Sequence, residues 1–185
     1  MINLVFMLEE PSAEAMLQGL LPRLLPENIY CRYVVFEGKY DLEKNLMKRI
    51  RGYLVPNSFF VILQDQDSSD CKELKKRLVQ LCKKAGKTNF IVRIACKEIE
   101  SWYIADLGAV ECALDIKNLQ KKYQNRKPYN NPDFIVKPSQ LLDKITKGKY
   151  QKVSGSRSIG PELDLNNNMS RSFTNFIKGI KNLIN

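Results

Sequence analysis

Glu9, Asp65, Asp67, Glu98 and Glu100 are the side chains best placed to do chemistry, because each stands at or just beyond the end of an apolar run. The clearest case is Phe59-Phe60-Val61-Ile62-Leu63-Gln64-Asp65-Gln66-Asp67. An apolar segment of the kind that forms a strand buried on both faces stops there at two acids. Asp65 and Asp67 are two apart, so a strand continuing through both would turn their carboxylates to the same side. Glu9 and Glu10 close the run from Ile2 to Leu8 in the same manner, and Glu98 and Glu100 follow the run from Phe90 to Ala95. Carboxylates delivered by three strands to one sheet edge would repel one another, and a hard divalent cation such as Mg²⁺ (or Mn²⁺) would remove that repulsion. Each acid also has an ordinary reading. Asp70 or Ser69 can cap the next helix, Glu9 suits a helix N-terminus, and Glu98 or Glu100 can pair with Lys97 or Arg93.

The rest of the composition narrows the chemistry. The 185 residues contain no histidine, which excludes Ser-His-Asp, Cys-His and His-metal catalysis. Five cysteines, Cys31, Cys71, Cys82, Cys96 and Cys112, include no short-spaced pair. An odd, scattered set argues for reduced thiols in a cytoplasmic protein and against a disulfide framework or a Cys/His zinc site. Thirty Lys and Arg against twenty Asp and Glu give a net charge of +10, which favours a polyanionic partner, nucleic acid before an anionic membrane surface. The run from Met1 to Leu8 is short, lacks a basic lead and meets Glu9-Glu10 at once, so it reads as a first strand and not as a signal peptide. No run approaches the length of a membrane span, so no membrane partner is expected.

The elements that must position the acids follow in order. Pro11 opens an amphipathic helix with Ala13, Met16, Leu17, Leu20 and Leu21, stopped in the Pro22 to Pro26 region. Tyr30 to Phe36 is a second strand ending in Glu37-Gly38-Lys39, and Leu42, Leu46, Met47 and Ile50 repeat at helical spacing after it. The strand ending at Asp65 is followed by a helix from Cys71 to Lys84 with Gly86 as its C-terminal stop, and Phe90 to Ala95 is a fourth strand. Alternating strands and helices predict a doubly wound, mostly parallel α/β sheet. A single domain of this size buries a real core. Residues 1–106 form the α/β part and 107–185 a mainly helical extension packed on it. Ala105 to Leu114, Leu119 to Tyr123 and Pro138 to Ile145 read as helices, and a final one carries Phe173, Phe176, Ile177, Ile180 and Ile184 behind a Ser170 cap. Tyr150 to Ser158 sets basic side chains among small residues, which would let backbone approach a phosphate.

Strand-Glu9 followed by Pro11-Ser12, then a strand ending in Asp65-Gln66-Asp67, resembles the TOPRIM domain of topoisomerases, primases and OLD-type nucleases. Glu98-Ile99-Glu100-Ser101-Trp102-Tyr103-Ile104 is similar to a stretch of RloB and AbiL-type phage-defence proteins. Leu8-Glu9-Glu10-Pro11-Ser12, Phe36-Glu37-Gly38-Lys39, Asp65-Gln66-Asp67, Ile94-Ala95-Cys96-Lys97-Glu98 and Tyr150-Gln151-Lys152-Val153-Ser154-Gly155 together resemble the uncharacterised DUF4276 family along nearly the whole chain. The TOPRIM resemblance implies a TOPRIM/Rossmann-like core in which Glu9 ligates metal or assists proton transfer. It further implies that Asp65 and Asp67 are metal ligands and that Glu100, with Glu98 its competitor, is the later acid. Glu10 stands where many TOPRIM domains have glycine. By likeness to OLD-type nucleases Lys152 would assist phosphoryl chemistry. Lys39, Lys152 and Arg157 are the candidate phosphate contacts.

The expectation is a Mg²⁺-dependent nuclease acting on DNA or RNA. The resemblance implies that it serves antiphage or abortive-infection defence beside an ABC/AAA-type ATPase, since this chain has no Gly-x-x-x-x-Gly-Lys-Ser/Thr of its own. The alternatives are a non-catalytic TOPRIM-like module that docks on an ATPase or on nucleic acid, and a small-molecule phosphohydrolase using the same acids.

Overall fold

Ile2–Leu8, Ser58–Asp65 and Phe90–Ala95 become strands that bury branched and aromatic side chains, while Ile29–Val35, whose residues are all half-buried or exposed, forms an edge of the sheet. The computed structural model describes residues 2–184. The strands are β1 (Ile2–Leu8), β2 (Ile29–Val35), β3 (Ser58–Asp65) and β4 (Phe90–Ala95), all parallel, in the order β2-β1-β3-β4. Leu8 pairs with both Val35 and Leu63, and Asp65 pairs with Ala95, so the carboxyl ends of all four strands finish at one rim.

Three helices connect them: α1 (Pro11–Leu20), α2 (Lys39–Arg51) and α3 (Cys71–Lys84). The period-two alternation of the strands decides which helix covers which face. Leu4, Phe6, Leu8, Val61 and Leu63 pack with Ala13, Met16, Leu17 and Leu20 of α1. Val5, Met7, Phe60 and Ile62 pack with Leu42, Leu46 and Ile50 of α2 and with Leu74 and Leu78 of α3. The chain therefore starts at β1, steps outward to β2 under α1, then crosses β1 to β3 over α2. Strand order reverses between β1 and β3, and the crevice outside the carboxyl ends at such a reversal is where open parallel sheets bind ligands.

The remaining helices are α4 (Glu100–Ile104), α5 (Leu107–Ala113), α6 (Leu119–Tyr123), α7 (Pro138–Thr146), α8 (Lys152–Ile159) and α9 (Arg171–Ile184). They lie on the α1 face and share its core: Trp102 and Tyr103 of α4, Leu142 of α7, Ile159 of α8 and Phe173 and Phe176 of α9 are buried with Leu4 and Phe6 of β1. Trp102 is an anchor of this layer. Its ring meets Phe173 edge-on at 5.3 Å and Phe176 at 5.1 Å, and its indole N–H donates to Ser172 Oγ at 2.7 Å. Gly160 lies directly beneath the Met16 carbonyl of α1, where a Cβ would collide with backbone.

Two features go beyond the sequence reading. Within the segment Tyr150 to Ser158, to which no regular element was assigned, Lys152 to Ile159 form α8 against α1. The third strand ends at Asp65 and does not run on to Asp67, which turns into the left-handed region (φ 50°). The two aspartates therefore do not share a strand face. Among the described residues no helix is long and apolar enough to cross a membrane.

Candidate acidic site

Asp65 is the last residue of β3 and is buried, with only 9% of its surface exposed. Glu9 follows β1 directly, and its Oε2 accepts a hydrogen bond from the Asp65 backbone N–H at 3.2 Å. The third acid, Glu100, opens α4 and is fully buried, as is every residue of that five-residue helix, which packs against α7. Glu100 Oε1 accepts from the Tyr150 hydroxyl at 2.9 Å, while Oε2 is buried with no hydrogen-bond partner among the described residues. Tyr150 is fixed in turn: its hydroxyl lies 3.3 Å from Ser156 Oγ, and its ring occupies the space beside Gly155, where a Cβ would sit 2.5 Å from Tyr150 Cδ2.

Burial dominates the electrostatics of all three. It pushes Glu9 up to about 7, opposed by the Asp65 N–H and assisted by the charges of Asp67 and Glu10. Glu100 is likewise raised by burial to about 7, against the pull of the Tyr150 hydroxyl. Asp65 is held well above the usual carboxylate range, by burial first and then by the charges of Glu100, Glu10, Glu9 and Asp67. No ammonium or guanidinium among the described residues lies within 4.0 Å of any of the three.

Two lysines flank the acids and already have partners. Lys39, at the start of α2, donates to Asp67 Oδ2 at 2.7 Å, and that hydrogen bond raises its pKa. Gly38 (φ 89°), whose N–H donates to the Glu9 carbonyl at 3.1 Å, brings this helix start over the rim. Lys152, at the start of α8, donates to Glu10 Oε2 at 2.5 Å, and Ser12 Oγ donates to Glu10 Oε1 at 2.7 Å. Burial alone would lower the pKa of Lys152, but the hydrogen bond and charge of Glu10, together with Glu100 and Asp65, hold it above the usual lysine value.

The expected residues thus divide. Glu9, Asp65 and Glu100 form the centre, with Glu10, Asp67, Lys39 and Lys152 around it. Glu98 is engaged elsewhere: its Oε2 accepts from the Ser139 N–H at 2.7 Å in the first turn of α7. Arg157 is exposed in the last turn of α8 without an acidic partner among the described residues. Asp70, read as a cap, is one; its Oδ1 accepts from the Lys72 and Glu73 N–H groups at 2.9 Å each. Sequence reasoning missed Tyr150 as the residue that holds Glu100. Its only signal was a tyrosine two positions before the lysine, and an aromatic at the edge of a short helix reads first as core.

Fold and site together define an α/β protein with an all-parallel four-stranded sheet, flanked by helices, that gathers buried carboxylates at its strand-order reversal. The chain belongs to the family described as a domain of unknown function, DUF4276, which it matches over residues 8–181. No curated protein and no solved structure matches it.

Proposed function

We propose that this protein is a metal-dependent phosphodiesterase acting on nucleic acid, with Glu9, Asp65 and Glu100 as its acidic centre. The observation that carries the reading is a set of three carboxylates, Asp65 and Glu100 buried and Glu9 half-buried, with no cationic partner among the described residues, brought from β1, β3 and α4 to the reversal of strand order. Their oxygen donors suit a hard cation, and the unpartnered Glu100 Oε2 and the raised carboxyls are the groups that such a cation would stabilise. As the side chains stand, no three His, Cys, Asp or Glu among the described residues form a ready-made cation site. Lys39 and Lys152 draw Asp67 and Glu10 aside, so binding requires those side chains to turn inward.

A bound Mg²⁺ would neutralise charge on the scissile phosphate and make the attacking water more acidic. Glu9, poised near neutrality at the mouth of the centre, would accept the proton of that water. Lys39 and Lys152 would exchange their carboxylate partners for phosphate oxygens and stabilise the charge that develops there. Tyr150 would keep Glu100 in one orientation throughout.

The test is cleavage of end-labelled DNA and RNA by purified protein with Mg²⁺ or Mn²⁺. Asp65→Asn is expected to lose more than about 100-fold in rate, beyond the range typical of residues one step removed from a metal, with its circular dichroism unchanged. Cleavage by Asp65→Asn at the native rate would overturn the proposal. The two lysine–carboxylate pairs favour one other reading, a binding module that docks on nucleic acid or on an ATPase without cutting. In that case calorimetry with Mn²⁺ would register no heat that depends on Asp65.

A further inference from the structure

Phe134 sits in a single 3-10 turn (Pro132–Phe134) and is 77% exposed, and Val136 beside it is 76% exposed. The ring separates two hollows. One, of about 510 Å³, runs along the outer edge of β4 and is lined by Lys75, Arg93, Lys97 and Arg171. The other, of about 390 Å³, is lined by Lys127, Asn130 and Asn131. None of these five cations has a carboxylate within 4.0 Å among the described residues.

The single acid lining the first hollow, Asp133, faces inward. Its Oδ1 accepts from Ser170 Oγ at 2.6 Å and from Ser172 Oγ at 3.2 Å, and its Oδ2 accepts from the Ser172 N–H at 3.1 Å, so it is spent on the start of α9. Arg93 is half-buried and, among the described residues, bonded only to carbonyls, those of Asn175 at 3.0 Å and Val92 at 2.9 Å. It adds fixed positive charge to the wall. The first hollow also reaches the acidic site: Gln66 and Lys97 line it, and the Lys97 carbonyl accepts from the Asp67 N–H at 2.8 Å.

We propose that this ridge binds single-stranded nucleic acid, with bases stacked on the two faces of Phe134 and phosphates held by Lys75, Lys97 and Arg171 on one side and by Lys127 on the other. A solvent-facing aromatic between two cationic hollows is the combination that single strands require: every base offers a π-face, and every phosphate offers a charge. A duplex keeps its bases stacked on each other and gives Phe134 nothing to cover. The proposal deepens the nuclease reading by naming the strand form of its substrate and an approach to the acids along β4.

The experiment is fluorescence anisotropy with a labelled twenty-nucleotide oligo-dT, its RNA counterpart and a duplex of equal length. EDTA is present, so binding is measured where no metal-dependent cleavage proceeds. The single strands are expected to bind at least tenfold tighter than the duplex. Phe134→Ala is expected to weaken them about tenfold, in line with the loss of one stacked base, while Phe134→Trp retains binding. Arg171→Gln and Lys75→Gln should each reduce the slope of log K against log salt by about 0.7. Equal binding of single strand and duplex, or no effect of Phe134→Ala, overturns the proposal. So does Phe134-dependent binding that appears only with anionic lipid vesicles or with a copurifying protein. Those failures leave the Asp65 cleavage test untouched, and failure of that test leaves this one standing.

Discussion

Replacing Glu100 with glutamine separates the charge of this carboxyl from its shape. The Glu100→Gln side chain keeps an oxygen for the Tyr150 hydroxyl but cannot ionise. The native carboxyl of Glu100 titrates near 7, against an ordinary value of 4.5. Between those values the folded chain holds a proton that the unfolded chain releases, so metal-free stability falls as pH rises through that window. At 1.36 kcal/mol per pH unit the loss from this group amounts to roughly 3 kcal/mol, and full burial leaves little solvent screening to reduce it. For a domain of this size that is about 6–12 °C in Tm. Thermal unfolding in EDTA, followed by circular dichroism from pH 4.5 to 8, should show the wild type losing this much relative to the Glu100→Gln variant. At pH 4.5 the wild type should be the more stable, because the new amide N–H₂ meets no partner, a cost of about 1–3 kcal/mol. Adding Mg²⁺ at pH 8 should raise the wild-type Tm and leave the variant unmoved. Parallel curves across the whole range would refute the claim that burial holds this carboxyl up.

Two further perturbations test the scaffold behind the acids. Tyr150→Phe leaves both oxygens of Glu100 without partners and should cost about 1–3 kcal/mol in urea unfolding; Gly155→Ala, whose methyl meets the Tyr150 ring, should lower stability by a similar amount, and both should weaken Mn²⁺ uptake in calorimetry. Gly160→Ala sets its methyl against the Met16 carbonyl, which is backbone and cannot swing away, so the urea midpoint should fall by more than in Gly155→Ala, with an unchanged slope.

The sheet was legible in the sequence because its strands are short, predominantly apolar segments. The acids were legible because they stand where those segments stop. The positions of Glu9 and Asp65 followed from that rule alone. Asp67 did not, since a left-handed residue after the strand turns its carboxylate to Lys39, and two-residue spacing has no bearing on such a turn. The choice between Glu98 and Glu100 was equally closed to sequence. Both precede an apolar helix, and only the docking of α7 against the loop decides that Glu98 meets the Ser139 N–H while Glu100 is buried. Helix α8 was missed because Ser154, Gly155, Ser156 and Ser158 carry little helical preference. Contact with α1, where Ile159 is buried, supplies what local sequence lacks.

The link between Lys152 and Glu10 spans 142 positions of the chain, and that between Tyr150 and Glu100 spans 50. During synthesis the rim acids leave the ribosome long before the residues that hold them. A polypeptide cut short by an early stop, or still attached to its message, has the carboxylates without their lysine and tyrosine. The acidic rim is thereby completed only once 152 of the 185 residues have been made.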